Sequence, residues 1–152
     1  MSTFSFKSVG TTRTDQITNA INKTVTPFGI TTPIQIGSSD FFKTNMTLMT
    51  QIADNFRNLI ITNWGERIML YDFGANLRQV LSNFNDDEEF DNNAMRLISE
   101  SVAKWMPYIN LDNYASEFYT VATNKFVKIK ISYTVPTLSQ NEHAIEVTLK
   151  VM

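Results

Sequence analysis

The 152-residue sequence has no cysteine, one histidine, five glycines and four prolines. The missing cysteine excludes disulfides, thiolate nucleophiles and zinc–thiolate sites together, and it fits a reducing compartment. His143 alone cannot supply a multi-histidine metal site, and neither a His-Glu-x-x-His pattern nor a clustered acid set accompanies it. No Gly-x-Ser-x-Gly elbow is present. Gly65 and Gly74 stand too far apart for a phosphate-cradling loop, and no Gly-Lys-Ser/Thr follows them. The longest apolar run is four residues, far short of the ~20 that cross a bilayer. Neither sign of charge dominates: 13 basic residues against 15 acidic leave a formal charge of −2. The chain therefore has the character of neither a polybasic nucleic-acid binder nor an acidic tail. Its opening, Met1-Ser2-Thr3-Phe4-Ser5-Phe6-Lys7, lacks the basic-then-apolar order of a secretion signal. The expectation is a soluble protein made in a cytoplasm, or assembled there into something larger, with no cofactor, metal, membrane or nucleic-acid partner.

What is present is organised in two parts. Residues 1–43 are rich in Thr, Ser, Asn and Gly, and Pro27 and Pro33 break any helix. Within them 28–36 reads as an extended segment that its prolines confine to an edge or a surface path. Residues 1–20 read as a flexible leader. From 44 to the end the pattern is that of a single domain, long enough to bury a core. Met49, Ile52, Phe56, Leu59 and Ile60 make one helical stripe. Gly65 follows it, where a left-handed closing residue is often needed. Leu77, Val80, Leu81 and Phe84 make a shorter helix. A third begins at Asp86-Asp87-Glu88-Glu89, carries Phe90, Ala94, Leu97, Ile98, Val102 and Trp105 on one side, and stops at Pro107.

After Pro107 the period falls to two. Val127, Ile129, Ile131, Tyr133 and Val135 alternate with polar residues, as do Ile145, Val147, Leu149 and Val151. Tyr114 to Val121 reads as an earlier strand, and 136–141 as a turn that leaves His143 in a solvated loop. Helices first and strands after predict an α+β fold, a helical layer packed on a small antiparallel three-stranded sheet. Three strands are too few to close, so an edge stays open. No proline interrupts 125–135 or 143–151, which reads both strands as competent to accept a partner strand, with chain order favouring the last.

The residues offer little chemistry. Four adjacent acids at a helix start complement the helix dipole, whereas a glycosidase needs two carboxylates across a cleft, one of them in an apolar pocket. Lys128 and Lys130 alternate away from Tyr133, so no stacking platform for nucleic acid forms. Met46, Met49, Met69, Met95 and Met106 are read as packing residues rather than an adaptable binding surface.

The stretch from Trp64 to Leu77 is different. It connects two amphipathic helices, yet it holds two glycines, a Glu66-Arg67 doublet and several large apolar groups. A connector that only turned the chain would be shorter and more polar. Gly65-Glu66-Arg67, five residues and then Phe73-Gly74 resembles the signature of the lysozyme-like baseplate wedge family of contractile phage tails. Relatives of that family include the sheath-initiating baseplate subunit of type VI secretion systems. The resemblance covers about 44–152 in order of elements, and Phe28-Gly29-Ile30 with Pro33-Ile34 is similar to the N-terminal extension of the T-even-like branch. It implies a structural subunit of the virion tail baseplate, with other wedge proteins and tail sheath subunits as partners. The family label implies the alternative, a peptidoglycan-cleaving glycosidase.

Many members carry Glu-Pro-Arg after the long helix as a docking motif; here the same place reads Met106-Pro107-Tyr108. The implied partner-binding positions are thus Gly65, Glu66, Arg67, Phe73, Gly74, Pro107 and Tyr108, with apolar or aromatic contact replacing ionic contact at the last two. Two further expectations follow. Arg67 should be half-buried, bridging backbone carbonyls or a carboxylate. Tyr108 should be exposed in the isolated chain and covered in a complex.

Overall fold

The computed structural model describes residues 26–37, 41–82 and 87–151. The proposed leader at 1–20, Phe84 and Asp86 lie outside the described residues. Two short strands come first, β1 (Gly29–Ile30) and β2 (Thr44–Asn45). Three helices follow: α1 (Leu48–Ile61), α2 (Leu77–Ser82) and α3 (Asp87–Trp105). Three long strands complete the chain: β3 (Asn110–Val121), β4 (Asn124–Val135) and β5 (Ser139–Lys150). The class is α+β.

The long strands form an antiparallel sheet in the order β3-β4-β5. Ile129 pairs with Ser116 on one side and Val147 on the other, and Ile131 with Tyr114 and Ile145. From Val127 to Val135 the odd-numbered residues of β4 thereby make one continuous apolar face, which the helices cover. Phe56 of α1 meets Tyr133 of β4 edge to face at 5.0 Å, and Phe90 of α3 meets Phe118 of β3 at 5.3 Å. Asp91 of α3 accepts hydrogen bonds from the Tyr114 and Ser116 hydroxyls of β3, and burial raises the pKa of the Tyr114 phenol. The opposite face is wet, with a Lys128–Glu146 ion pair across β4 and β5.

The segment before α1 is tied to the helix by one carboxylate. β1 pairs with β2. Buried Asp54 of α1 accepts from the Thr32 amide at 3.0 Å and the Asn45 side chain at 2.8 Å, with Arg57 3.5 Å away. Thr47 caps α1, its hydroxyl accepting from the Thr50 amide.

Several expectations are corrected here. The helix α1 closes at Thr62 in an extended conformation, whose amide and hydroxyl both return to the Asn58 carbonyl. Gly65 does take the left-handed conformation, φ 84°, but three residues beyond that cap. The turn after β4 spans only 136–138, closed by the Leu138 amide on the Val135 carbonyl. His143 therefore stands within β5 opposite Tyr133, not in a solvated loop, and its Nε2 is enclosed without a hydrogen-bond partner among the described residues. The strand 125–135 is the middle one, both of its sides already paired, so it cannot accept another strand.

Candidate functional site: the connector between α1 and α2

The connector leaves α1 and returns to the helix it left. The Ala75 amide donates to the Leu59 carbonyl at 3.0 Å and the Asn76 amide to the Thr62 carbonyl at 3.3 Å. Between these the loop is pinched by the Gly65 amide on the Tyr71 carbonyl at 2.7 Å. Asn63 braces the near side: its amide and side-chain NH2 each donate to the Glu66 carboxylate at 2.8 Å, and its Oδ1 accepts from the Arg78 amide. Those two bonds hold the pKa of the Glu66 carboxyl below its ordinary value.

Gly74 anchors the far side. Its carbonyl accepts from the Trp64 indole at 3.1 Å and the Ser101 hydroxyl of α3 at 2.9 Å. Its φ is 110°, and a Cβ there would press into the Thr62 carbonyl, so both conformation and space demand glycine.

Side chains then bind the loop to the end of α3 in a series of ring contacts. Arg67 lies 3.9 Å from the Phe73 ring centre, Phe73 lies 5.2 Å from Trp105, and Lys104 lies 5.1 Å from Trp105 on its own side. Lys104 also pairs with Asp72, which holds that carboxyl low. Two cations thus bracket two aromatic rings.

With its backbone polar groups turned inward, the connector turns its apolar side chains outward. Ile68 is 89% exposed, Met69 85% and Tyr71 70%, with Trp64 and Leu70 beside them. Met69 is held in the left-handed region, φ 66°, which is uncommon for its residue type. The expectation of Met69 as packing fails, as it does for exposed Met46 and Met95, while Met106 is buried. An exposed apolar group on a braced loop makes the connector a candidate interaction surface.

The seven predicted positions divide. Gly65, Glu66, Arg67, Phe73 and Gly74 share the connector. Pro107 and Tyr108 lie past the end of α3, and Tyr108 borders a separate apolar cleft of about 280 Å³ with Leu48, Ile52, Val135 and Leu138. That cleft faces the first turn of α1, whereas the connector leaves its last, and a 14-residue helix is roughly 20 Å long. Tyr108 is exposed, as expected, and partial burial raises its phenol. The expectation for Arg67 is not met. It is exposed and stacked on Phe73, because Asn63 takes the Glu66 carboxylate and Lys104 the one on Asp72.

Sequence reasoning missed Asn63, Trp64 and Ser101 as the braces. Ser101 had a signal: it is a polar residue inside the stripe of Ile98, Val102 and Trp105, and it is buried. Among the described residues no cluster of three or more acidic or histidine side chains could hold a metal ion, and no helix is long and apolar enough to cross a membrane.

No protein-family model matches the sequence, and no curated protein matches it. The fold is similar to a chain of the anti-feeding prophage baseplate, solved by cryo-electron microscopy. The TM-score is 0.52 at 16% identity, over 78% of this chain and 81% of that one. It is also similar to a Geobacter sulfurreducens protein with the provisional name tail lysozyme, with TM-score 0.55 and 17% identity over 70% of this chain and 93% of that one. The likeness shows that this chain shares its fold with these two chains.

Proposed function

We propose that this chain is a non-enzymatic structural subunit of a contractile-tail baseplate, joining wedge proteins and seeding the tail sheath. The observation that carries the reading is the shared fold with the anti-feeding prophage baseplate chain. The braced connector, which spends its polar groups on itself and presents apolar side chains, supports it. Tyr108 at its cleft supplies a second contact, aromatic where the resembling family is ionic.

Sheath seeding would use a sheet edge. Both β3 and β5 have an outer side unpaired among the described residues. The Val151 amide donates to the Lys125 carbonyl at 2.9 Å. By antiparallel alternation the backbone groups of Val147 and Leu149 then face β4, and those of Glu146, Thr148 and Lys150 face outward. A sheath strand adding there would satisfy these donors and acceptors with little demand on its sequence.

The glycosidase alternative takes its support from the provisional name of one fold relative. Glycoside cleavage needs a carboxyl held protonated by an apolar pocket. Glu66, Asp72 and Glu146, the carboxyls with displaced acidity among the described residues, are all held in the ionised form by Asn63, Lys104 and Lys128. That is the wrong direction for a proton donor.

The test is to label the chain in purified particles and to delete its gene. Label at the tail end distal to the head, and tails lacking sheath on deletion, are the expected results. A Thr148→Pro variant that folds should join baseplates without sheath growth. Particles with normal sheathed tails after deletion, or muropeptide release by the purified chain, would overturn the reading.

A further inference from the structure

We infer that Arg67 is the receptor for a carboxylate on a protein partner, presented by a segment whose neighbouring residues are apolar. Lys104 and Arg67 stand at the two ends of the series of ring contacts. At one end Lys104 is held against Trp105 and paired with Asp72; at the other Arg67 is held against Phe73 with no carboxylate among the described residues. The two acids nearest in sequence are already committed, Glu66 to Asn63 and Asp72 to Lys104. The series therefore ends in a positioned guanidinium whose fork of donors is unmatched among the described residues.

Stacking on a ring leaves the guanidinium edge free, and that edge is the part that matches a carboxylate bidentately. The ring itself is fixed from behind by Trp105, so little side-chain freedom is lost on pairing. Around this cation the exposed residues are Ile68, Met69, Tyr71 and Trp64. Their burial against a partner would take the ion pair out of water, where an exposed pair contributes little. An Asp or Glu set among apolar residues complements both parts of the surface. A phosphate-rich surface would match the cation alone and leave the apolar side chains uncovered. This rests on the connector being an interface, and only its partner's chemistry is new.

The experiment places a photo-crosslinking benzoylphenylalanine at Ile68, or separately at Met69, in the full-length chain in its producing cell. The cross-linked peptide is then sequenced. The expected product is a partner-protein segment with an Asp or Glu within two residues of the link. Arg67→Glu should lower the cross-link yield at least tenfold, and Arg67→Gln should do so by a similar factor if the reversed charge impairs folding. Replacing the partner's acid by Arg should restore the yield to the Arg67→Glu chain.

A linked segment without an acid, a failed charge swap, an undiminished yield from both Arg67 variants, or no cross-link from either position would overturn the inference. Links confined to this chain, to a second copy of it or to nucleic acid would do so too. The baseplate reading is tested separately by the identity of the linked protein. An acidic segment on a non-tail protein that passes the swap sustains this inference while removing that reading. A baseplate protein linked through a segment lacking acid does the reverse.

Discussion

The helix–sheet core and the connector use the same residue types in opposite ways. In the core, Phe56, Ile98, Ile129 and Val147 turn inward and the backbone is satisfied by regular ladders. In the connector, Ile68, Met69 and Tyr71 turn outward and the backbone is satisfied by side chains of Trp64 and Ser101 and by returns to α1. One region gains stability from apolar burial. The other is held by polar bonds and leaves its apolar area exposed. The difference teaches that a loop's apolar content need not report on the core.

The largest effect should come from the core. Phe56 is fully buried against Tyr133, so Phe56→Ala should cost about 3–5 kcal/mol, read by urea unfolding. Next is the hinge between the two regions. Gly74→Ala imposes a strained φ and a clash with the Thr62 carbonyl, with an expected cost of about 2–3 kcal/mol. A loss under half of that would mean that the connector relaxes freely, and the contrast with the core would blur.

Ser101→Ala should cost about 1 kcal/mol, the worth of one hydrogen bond, since Trp64 still serves the Gly74 carbonyl. Faster amide exchange at Gly65 and Ala75 with unchanged exchange in β4 would localise the effect to the loop. Smaller still is an acid dependence at Glu66. Its folded pKa is lowered by Asn63, so its contribution is present above the ordinary carboxylate range and is lost as pH falls through the lowered value. Glu66→Gln should flatten that part of the stability–pH curve near the connector.

How much of this was legible in the sequence depended on periodicity. The stripe on α1 and the alternation from Val127 to Val135 required no tertiary information, because one apolar face must be buried wherever such a pattern runs. The order β3-β4-β5 does not follow from alternation alone, since middle and edge strands share it. His143 was misplaced because Pro136 and the polar run 139–141 looked like one long turn, whereas the turn closes at Leu138.

The connector's glycines were visible as positions needing unusual backbone. The outward direction of Ile68 and Met69 was not, because no period governs a loop and the carbonyls that fix it carry no side-chain signature. Arg67 was read as a bridge to backbone because its rival donors, Asn63 for Glu66 and Lys104 for Asp72, come from outside the motif.

The central claim is that the connector's outward apolar residues serve assembly and not folding. Replacing Ile68 and Met69 together with serine tests it most directly, by measuring the amount of the variant in purified contractile-tail particles against its urea midpoint. The expected result is stability within about 0.5 kcal/mol of the parent and loss of the variant from assembled baseplates. Incorporation at the parental level, with stability unchanged, would contradict the account.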